Sequence, residues 1–186
     1  MPMDKMPVDV SKLFMPHPMQ LFLIGTYKED GQPNLGVFCW INFCWDEELS
    51  VTVCMDGNKL TKDRIKETGV FSANLVTETL LPYVDYLGTL KEYDTNKRVN
   101  EIKLKQGEVL NVPVLQDSPL NYELEVKKTI TLSGSDIFIC RIRNAIGSSE
   151  IIVNQNAYDL SKVNPVIVSQ NSYFGLNKLG NFGEVK

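Results

Sequence analysis

Histidine is almost absent from this chain. His17 is the single imidazole in 186 residues. A zinc site built from several histidines is therefore excluded, and a Ser–His or Cys–His nucleophilic pair would need that one ring in the cleft. The four cysteines, Cys39, Cys44, Cys54 and Cys140, contain no C-x-x-C pair, so the common spacings of zinc and redox motifs are missing. There is no G-x-S-x-G elbow, no G-x-x-x-x-G-K phosphate loop and no G-x-G-x-x-G dinucleotide fingerprint. No stretch approaches ~20 uninterrupted apolar residues, so no membrane span is expected. The N-terminal stretch lacks the apolar centre of a signal peptide, which makes the cytoplasm the expected compartment. Cationic residues are outnumbered, 19 Lys+Arg against 23 Asp+Glu, for a net charge of −4. A nucleic-acid binder would need the opposite balance.

What is present is ordinary for a soluble globular chain, with 43% apolar and 23% charged residues. Residues 1–15 read as an N-terminal arm rich in Pro and Met, and residues 16–186 as a single domain. Cys39 and Cys54 sit in apolar runs, where a reduced thiol behaves as a small hydrophobe.

The apolar run at 21–27 ends in Asp30-Gly31, a hairpin signal between two strands. Residues 34–45 read as one long strand and 50–55 as the next. Three consecutive strands with tight turns point to an antiparallel meander. Residues 59–68 read as a helix stopped by Gly69, 71–76 as a strand, and 77–87 as a second helix with Pro82 in its first turn. Residues 88–107 form a long polar excursion. Residues 121–132 alternate strictly, with Tyr122, Leu124, Val126 and Ile130 set against Glu123, Glu125, Lys127 and Thr129, which is the period of a strand with one polar face. A returning strand follows at 137–146, and 151–153 and 166–168 are short candidates. The expected architecture is mainly β with helical decoration, a barrel.

Taken together, the segments resemble the flavin reductase-like FMN-binding split-barrel family, in its flavoredoxin branch. The opening Pro18 with the strand through Tyr27, and the Asp30-Gly31-Gln32-Pro33-Asn34 turn, are similar to the family's first hairpin. Trp40 falls where the next family strand carries Trp. Thr61 with Ile65, followed by Gly69 to Asn74 (Gly-Val-Phe-Ser-Ala-Asn), looks like the family's phosphate helix and the strand after it. Asp85-Tyr86-Leu87-Gly88 with Lys97, then Tyr173 with Leu179-Gly180-Asn181-Phe182-Gly183, resemble its later motifs.

The resemblance implies an antiparallel split barrel that forms a homodimer and holds FMN non-covalently. It implies an oxidoreductase or electron-transfer protein, drawing electrons from NAD(P)H or exchanging them with a redox partner protein. The site residues it suggests are Val37, Phe38, Cys39, Trp40 and Asn42 beside the ring system, Asn58, Lys59 and Thr61 beside the phosphate, and Gly88, Lys97 and Tyr173 around them. A helix N-terminus suits a phosphate because its free N–H groups and dipole favour anions. Lys62 would add charge there, although Thr61 and Lys62 also read as an ordinary cap and a solvated cation. Trp40 reads equally as a core residue. No catalytic side chain and no metal ligand set can be assigned.

The chain departs from the family pattern at several places. Asp56 stands where the family carries Arg, and a carboxylate repels a phosphate. Val37 replaces Thr, Glu48-Leu49 replaces Pro-Pro, Lys91-Glu92 replaces Ser-Gly, and Ser135 replaces His. These departures open an alternative: a non-catalytic small-molecule or flavin-binding protein on the same barrel.

Overall fold

The computed structural model describes residues 4–90 and 99–184. In chain order the strands begin with β1 (Met19–Gln20), β2 (Phe22–Tyr27), β3 (Pro33–Phe38), β4 (Ile41–Asp46) and β5 (Glu48–Asp56). Helix α1 (Leu60–Thr68), strand β6 (Val70–Leu75) and helix α2 (Leu81–Thr89) follow. Then come β7 (Leu104–Gln106), β8 (Pro113–Leu115), β9 (Leu120–Thr131) and β10 (Ser135–Gly147). The chain closes with β11 (Ile152–Asn154), β12 (Ala157–Tyr158), β13 (Ile167–Ser169) and β14 (Ser172–Phe174).

Seven strands form one antiparallel sheet in the order β3-β2-β6-β9-β10-β5-β4. Its two edges, β3 and β4, are neighbours in sequence, joined only by Cys39 and Trp40. Laid flat, seven strands at the usual spacing would hold those edges roughly 29 Å apart. Three Cα steps reach about 11 Å at most. The sheet must therefore roll until its edges nearly meet. They do not pair, so the barrel stays split, and the Cys39-Trp40 link crosses the gap. The Cys54 N–H donates to the Trp40 carbonyl at 2.9 Å, tying the link to β5.

This corrects the reading of residues 34–45 as one strand. Phe38 and Ile41 both face the barrel interior, and side chains three apart on one strand cannot share a face. The Phe38-Cys39-Trp40-Ile41 run is the corner itself. The remaining expected elements appear within a residue or two of their predicted bounds, except that the helix expected over 77–87 starts as a 3-10 turn over Glu78–Leu80 and becomes α-helical only at Leu81. The β7–β8 hairpin was not foreseen.

Alternation along β2 creates two cores. Phe22 and Ile24 point into the barrel with Phe71, Leu124 and Phe138. Leu21 and Leu23 point outward and are covered by Val84 and Leu87 of α2, Leu115 and Val168. Helix α1 fills the step from β5 to β6. Ile65 packs into the barrel core, and Gly69 ends the helix at φ 72° with its N–H on the Ile65 carbonyl at 2.9 Å. That left-handed geometry favours glycine.

Glu123 departs from its expected polar face. It is fully buried because the 107–112 loop and the β7–β8 hairpin cover the outer side of β9. Among the described residues, no helix is long and apolar enough to cross a membrane.

Candidate functional site

The split is where the sequence stops obeying sheet periodicity, and it is also where the fold leaves space. A cavity of about 360 Å³ opens there. Its floor is the corner, Val37, Phe38, Cys39 and Trp40, with Cys54 of β5 beside it. Leu21, Val168 and Met15 line it from the small β1–β13–β14 sheet and the arm, and Tyr173 and Gly88 from β14 and α2. The arm is held there because the Gln170 N–H donates to the Met15 carbonyl at 3.0 Å. The Tyr173 hydroxyl donates to the Asp85 carboxylate at 2.9 Å, joining β14 to α2. Burial and that carboxylate both hold the Tyr173 hydroxyl above its ordinary pKa.

Among the described residues, Asp56 and Lys59 bring the charged side chains to this lining. Beyond Lys59 a smaller cavity of about 110 Å³ continues along α1, lined by Gly36, Leu60, Thr61 and Leu87, and sharing Val37, Phe38, Lys59 and Gly88 with the larger one. Helix α1 begins here, and its N-cap, Lys59, makes no side-chain capping bond. Its first amide groups lack intrahelical partners, and its positive dipole end faces the cavity. Thr61 is buried and accepts a hydrogen bond from the Asn34 amide at 2.9 Å. That leaves its own proton to donate.

The site therefore has an apolar floor of ring-sized extent and, at one end, a donor-rich helix start. Its volume lies in the ~300–1,000 Å³ range of small-molecule sites. A planar heteroaromatic ring carrying a polar or anionic tail fits this arrangement. A nucleophilic reaction does not. Burial pushes the Cys39 thiol up to about 11, and its Sγ rests 3.5 Å from Met15 Sδ, so it stays protonated near neutral pH. His17 is exposed, its ring nitrogen 3.1 Å from the Pro18 carbonyl, and it is absent from the lining. No group of three or more His, Cys, Asp or Glu suited to a metal ion occurs among the described residues.

Thus Val37, Phe38, Cys39, Trp40, Lys59, Gly88 and Tyr173 come together around one cavity, and Thr61 lines its extension. Asn42 and Asn58 are exposed and lie outside both linings. Asn42 sits past the corner on β4, where its carbonyl accepts from Thr52 at 3.2 Å. Lys97, with Lys91 and Glu92, lies outside the described residues.

Lys62, the further cation suggested beside the phosphate, lines neither cavity. It turns to the other side of α1, 3.7 Å from the buried Asp136 carboxylate, with Lys66 at 3.2 Å from the same oxygen. Thr131 donates to Asp136 at 2.7 Å. That hydroxyl, against the opposing effect of burial, and then Lys66 hold Asp136 below the usual carboxylate range.

Sequence reasoning missed Cys54, Met15, Leu21 and Val168. Their signal lies in the register across the corner, which alternation alone does not supply. It also treated Asp56 and Ser135 as separate departures, yet they are cross-strand partners of β5 and β10.

An open antiparallel barrel with a ligand-sized cavity at its split defines the class of protein: a split barrel. The chain belongs to the flavin reductase-like domain family, whose sequence model matches residues 14–165. The fold is similar to flavoredoxin from Methanosarcina acetivorans (TM-score 0.86, 21% identity, covering 98% of this chain and 96% of that one). It is similar to flavoredoxin of Desulfovibrio vulgaris (Miyazaki F) (0.83, 22%, 96% and 98%). It is also similar to an FMN-binding protein from Thermus thermophilus with bound p-hydroxybenzaldehyde (0.74, 16%, 94% and 95%). Comparison with curated proteins gives no match.

Proposed function

We propose that this protein is a flavin-dependent oxidoreductase or electron-transfer protein of the flavin reductase and flavoredoxin kind, with FMN as the flavin the family implies. The observation that carries the reading is a pair of adjoining cavities that share Val37, Phe38, Lys59 and Gly88, the larger apolar along the corner and the smaller lying at the start of α1. When bound, a flavin supplies the electron chemistry, accepting electrons from a donor such as NAD(P)H and passing them to an acceptor.

The chain's own residues bind and orient. Val37, Phe38, Cys39 and Trp40 offer an apolar wall that excludes water. Thr61 and the first amides of α1 offer donors to the tail. Gly88 contributes no side chain and so leaves room for the ligand. Tyr173, fixed by Asp85, closes one side. A nicotinamide has no binding fold of its own here and would have to meet the flavin transiently.

The test is to add FMN to the purified protein, record the visible spectrum, then add NADH or NADPH and follow its oxidation. A perturbed flavin spectrum at about 50 µM protein with accelerated NAD(P)H oxidation is expected; an unperturbed spectrum would refute the reading.

Asp56 favours a second reading, a flavin-binding protein without turnover. Rapid NAD(P)H oxidation dependent on added flavin would rule that out. The homodimer implied by the family belongs to the same proposal. The exposed apolar side chains of the β4–β5 hairpin, Phe43 and Trp45 of edge strand β4 and Leu49 of β5, are the kind of surface that a second copy covers. Sedimentation at micromolar concentration tests it, and a monomer would contradict it.

A further inference from the structure

We propose that Asp56 is a specificity-determining residue that removes the site's preference for a phosphorylated flavin, so that riboflavin is taken about as well as FMN. This rests on the reading of the cavity as a flavin site.

The argument starts from position. Asp56 ends β5, lines the larger cavity, and is followed within a few residues by the start of α1. Asp56 and Lys59 line the same cavity, and Lys59 also lines the smaller one at the start of α1, so a tail held there has this carboxylate near by. The backbone that carries it is fixed. Asp56 pairs in register with Ser135, and the Gly57 N–H donates to the Gly134 carbonyl at 3.0 Å. A β-carbon at Gly134 would lie 3.4 Å from Asp56 Oδ1, so the β9–β10 turn backs the side chain. That turn is anchored in its own right, because Asp136 binds Thr131, Lys62 and Lys66.

The same anchor removes cations from the site. Two lysines of α1 face Asp136 and not the cavity. Among the described residues lining the two cavities, Asp56 and Lys59 are the charged side chains, one of each sign. The remaining attraction for an anion is the helix start, which at an exposed site favours one by roughly two- to fivefold. A phosphate monoester carries about −1.5 to −2 charges near neutral pH. Asp56 opposes that charge and Lys59 attracts it, so the pair leaves a preference for the phosphate no larger than the helix start supplies. Riboflavin keeps the ring and ribityl chain but has no phosphate to repel, and the apolar corner holds it equally well.

The experiment is a pair of binding titrations, FMN and riboflavin, on the wild type and on Asp56→Asn, read by quenching of flavin fluorescence in low salt. In the wild type the two dissociation constants should agree within about fivefold, and Asp56→Asn should shift their ratio toward FMN by about a further two- to fivefold. Raising the salt to about 0.5 M should shrink that shift. A wild type that binds FMN more than about thirtyfold tighter than riboflavin would overturn the proposal. So would an Asp56→Asn variant that changes both affinities by the same factor. If neither flavin binds at about 100 µM, the flavin site itself is refuted and this proposal with it.

Discussion

The wall of the barrel opposite the split and the split itself use polar groups in opposite ways. On the wall, Glu123 of β9 is fully buried. It accepts the N–H groups of Glu108 (2.9 Å), Val109 (3.0 Å) and Leu110 (2.6 Å) and the Asn144 amide (2.9 Å). Burial raises its pKa, yet those donors outweigh burial and hold it low. A buried carboxylate with a displaced pKa is a common mark of an active site. Here three of the four bonds pin the 107–112 loop and the fourth ties β9 to Asn144 of β10, and Glu123 lines neither cavity at the split. At the split the reverse holds. The floor is apolar, and Lys59, the N-cap of α1, makes no side-chain capping bond. The difference teaches that a helix start beside open volume, more than a perturbed pKa, marks the candidate site in this fold.

Substitutions on each side can break or sharpen that contrast. The largest effect is expected inside the wall. Phe138 is fully buried, and Phe138→Ala should cost about 3–5 kcal/mol in denaturant unfolding, with flavin affinity kept in the folded fraction.

Glu123→Gln should come next. It weakens charge-assisted bonds to three amides, at about 2–4 kcal/mol. It also changes the pH dependence. A carboxylate whose folded pKa is lowered contributes stability that is fully present above its unfolded value, near ~4.3 for Glu. That stability is lost as pH falls through the folded value. Wild-type stability should therefore drop below about pH 4, as Glu123 and Asp136 take up protons, and the Glu123→Gln variant should lose less over the same range.

At the split, Gly36→Ala should cost about 1–3 kcal/mol. An added β-carbon would lie 2.7 Å from both the Phe38 ring and Thr61 Oγ1, so it should also weaken flavin binding by displacing Thr61. A stable Gly36→Ala variant with full affinity would show that Thr61 is not a ligand group. Tyr173→Phe should have the smallest effect. It removes one exposed bond to Asp85, worth about 0.5–1.5 kcal/mol, and thermal unfolding would detect it.

Much of the fold was legible in the sequence because alternation, Asp30-Gly31 and Gly69 are local signals. The corner was not, since Phe38-Cys39-Trp40-Ile41 is apolar throughout and gives no sign of where the parity changes. Glu123 was misread for a related reason. Alternation shows that a residue lies on the second face of a strand but not that another hairpin covers that face. In the site, the residues of the corner and of the helix start could be chosen by motif order. Lys62 could not be placed, because its partner Asp136 lies 74 positions further on and meets α1 only once β10 pairs with β5. The adjacency of Asp56 and Ser135 is hidden by a similar separation.

The central claim is that the split cavity is a flavin site, and Gly88 offers the most direct test. It lines both cavities, and a β-carbon there would meet nothing within 4 Å. Gly88→Leu would fill the cavity while improving helix propensity by up to ~1 kcal/mol. Titration with riboflavin should show saturable binding to the wild type, and at least a tenfold loss in Gly88→Leu with its melting temperature unchanged or raised. Equal riboflavin affinity in the two proteins would contradict the account.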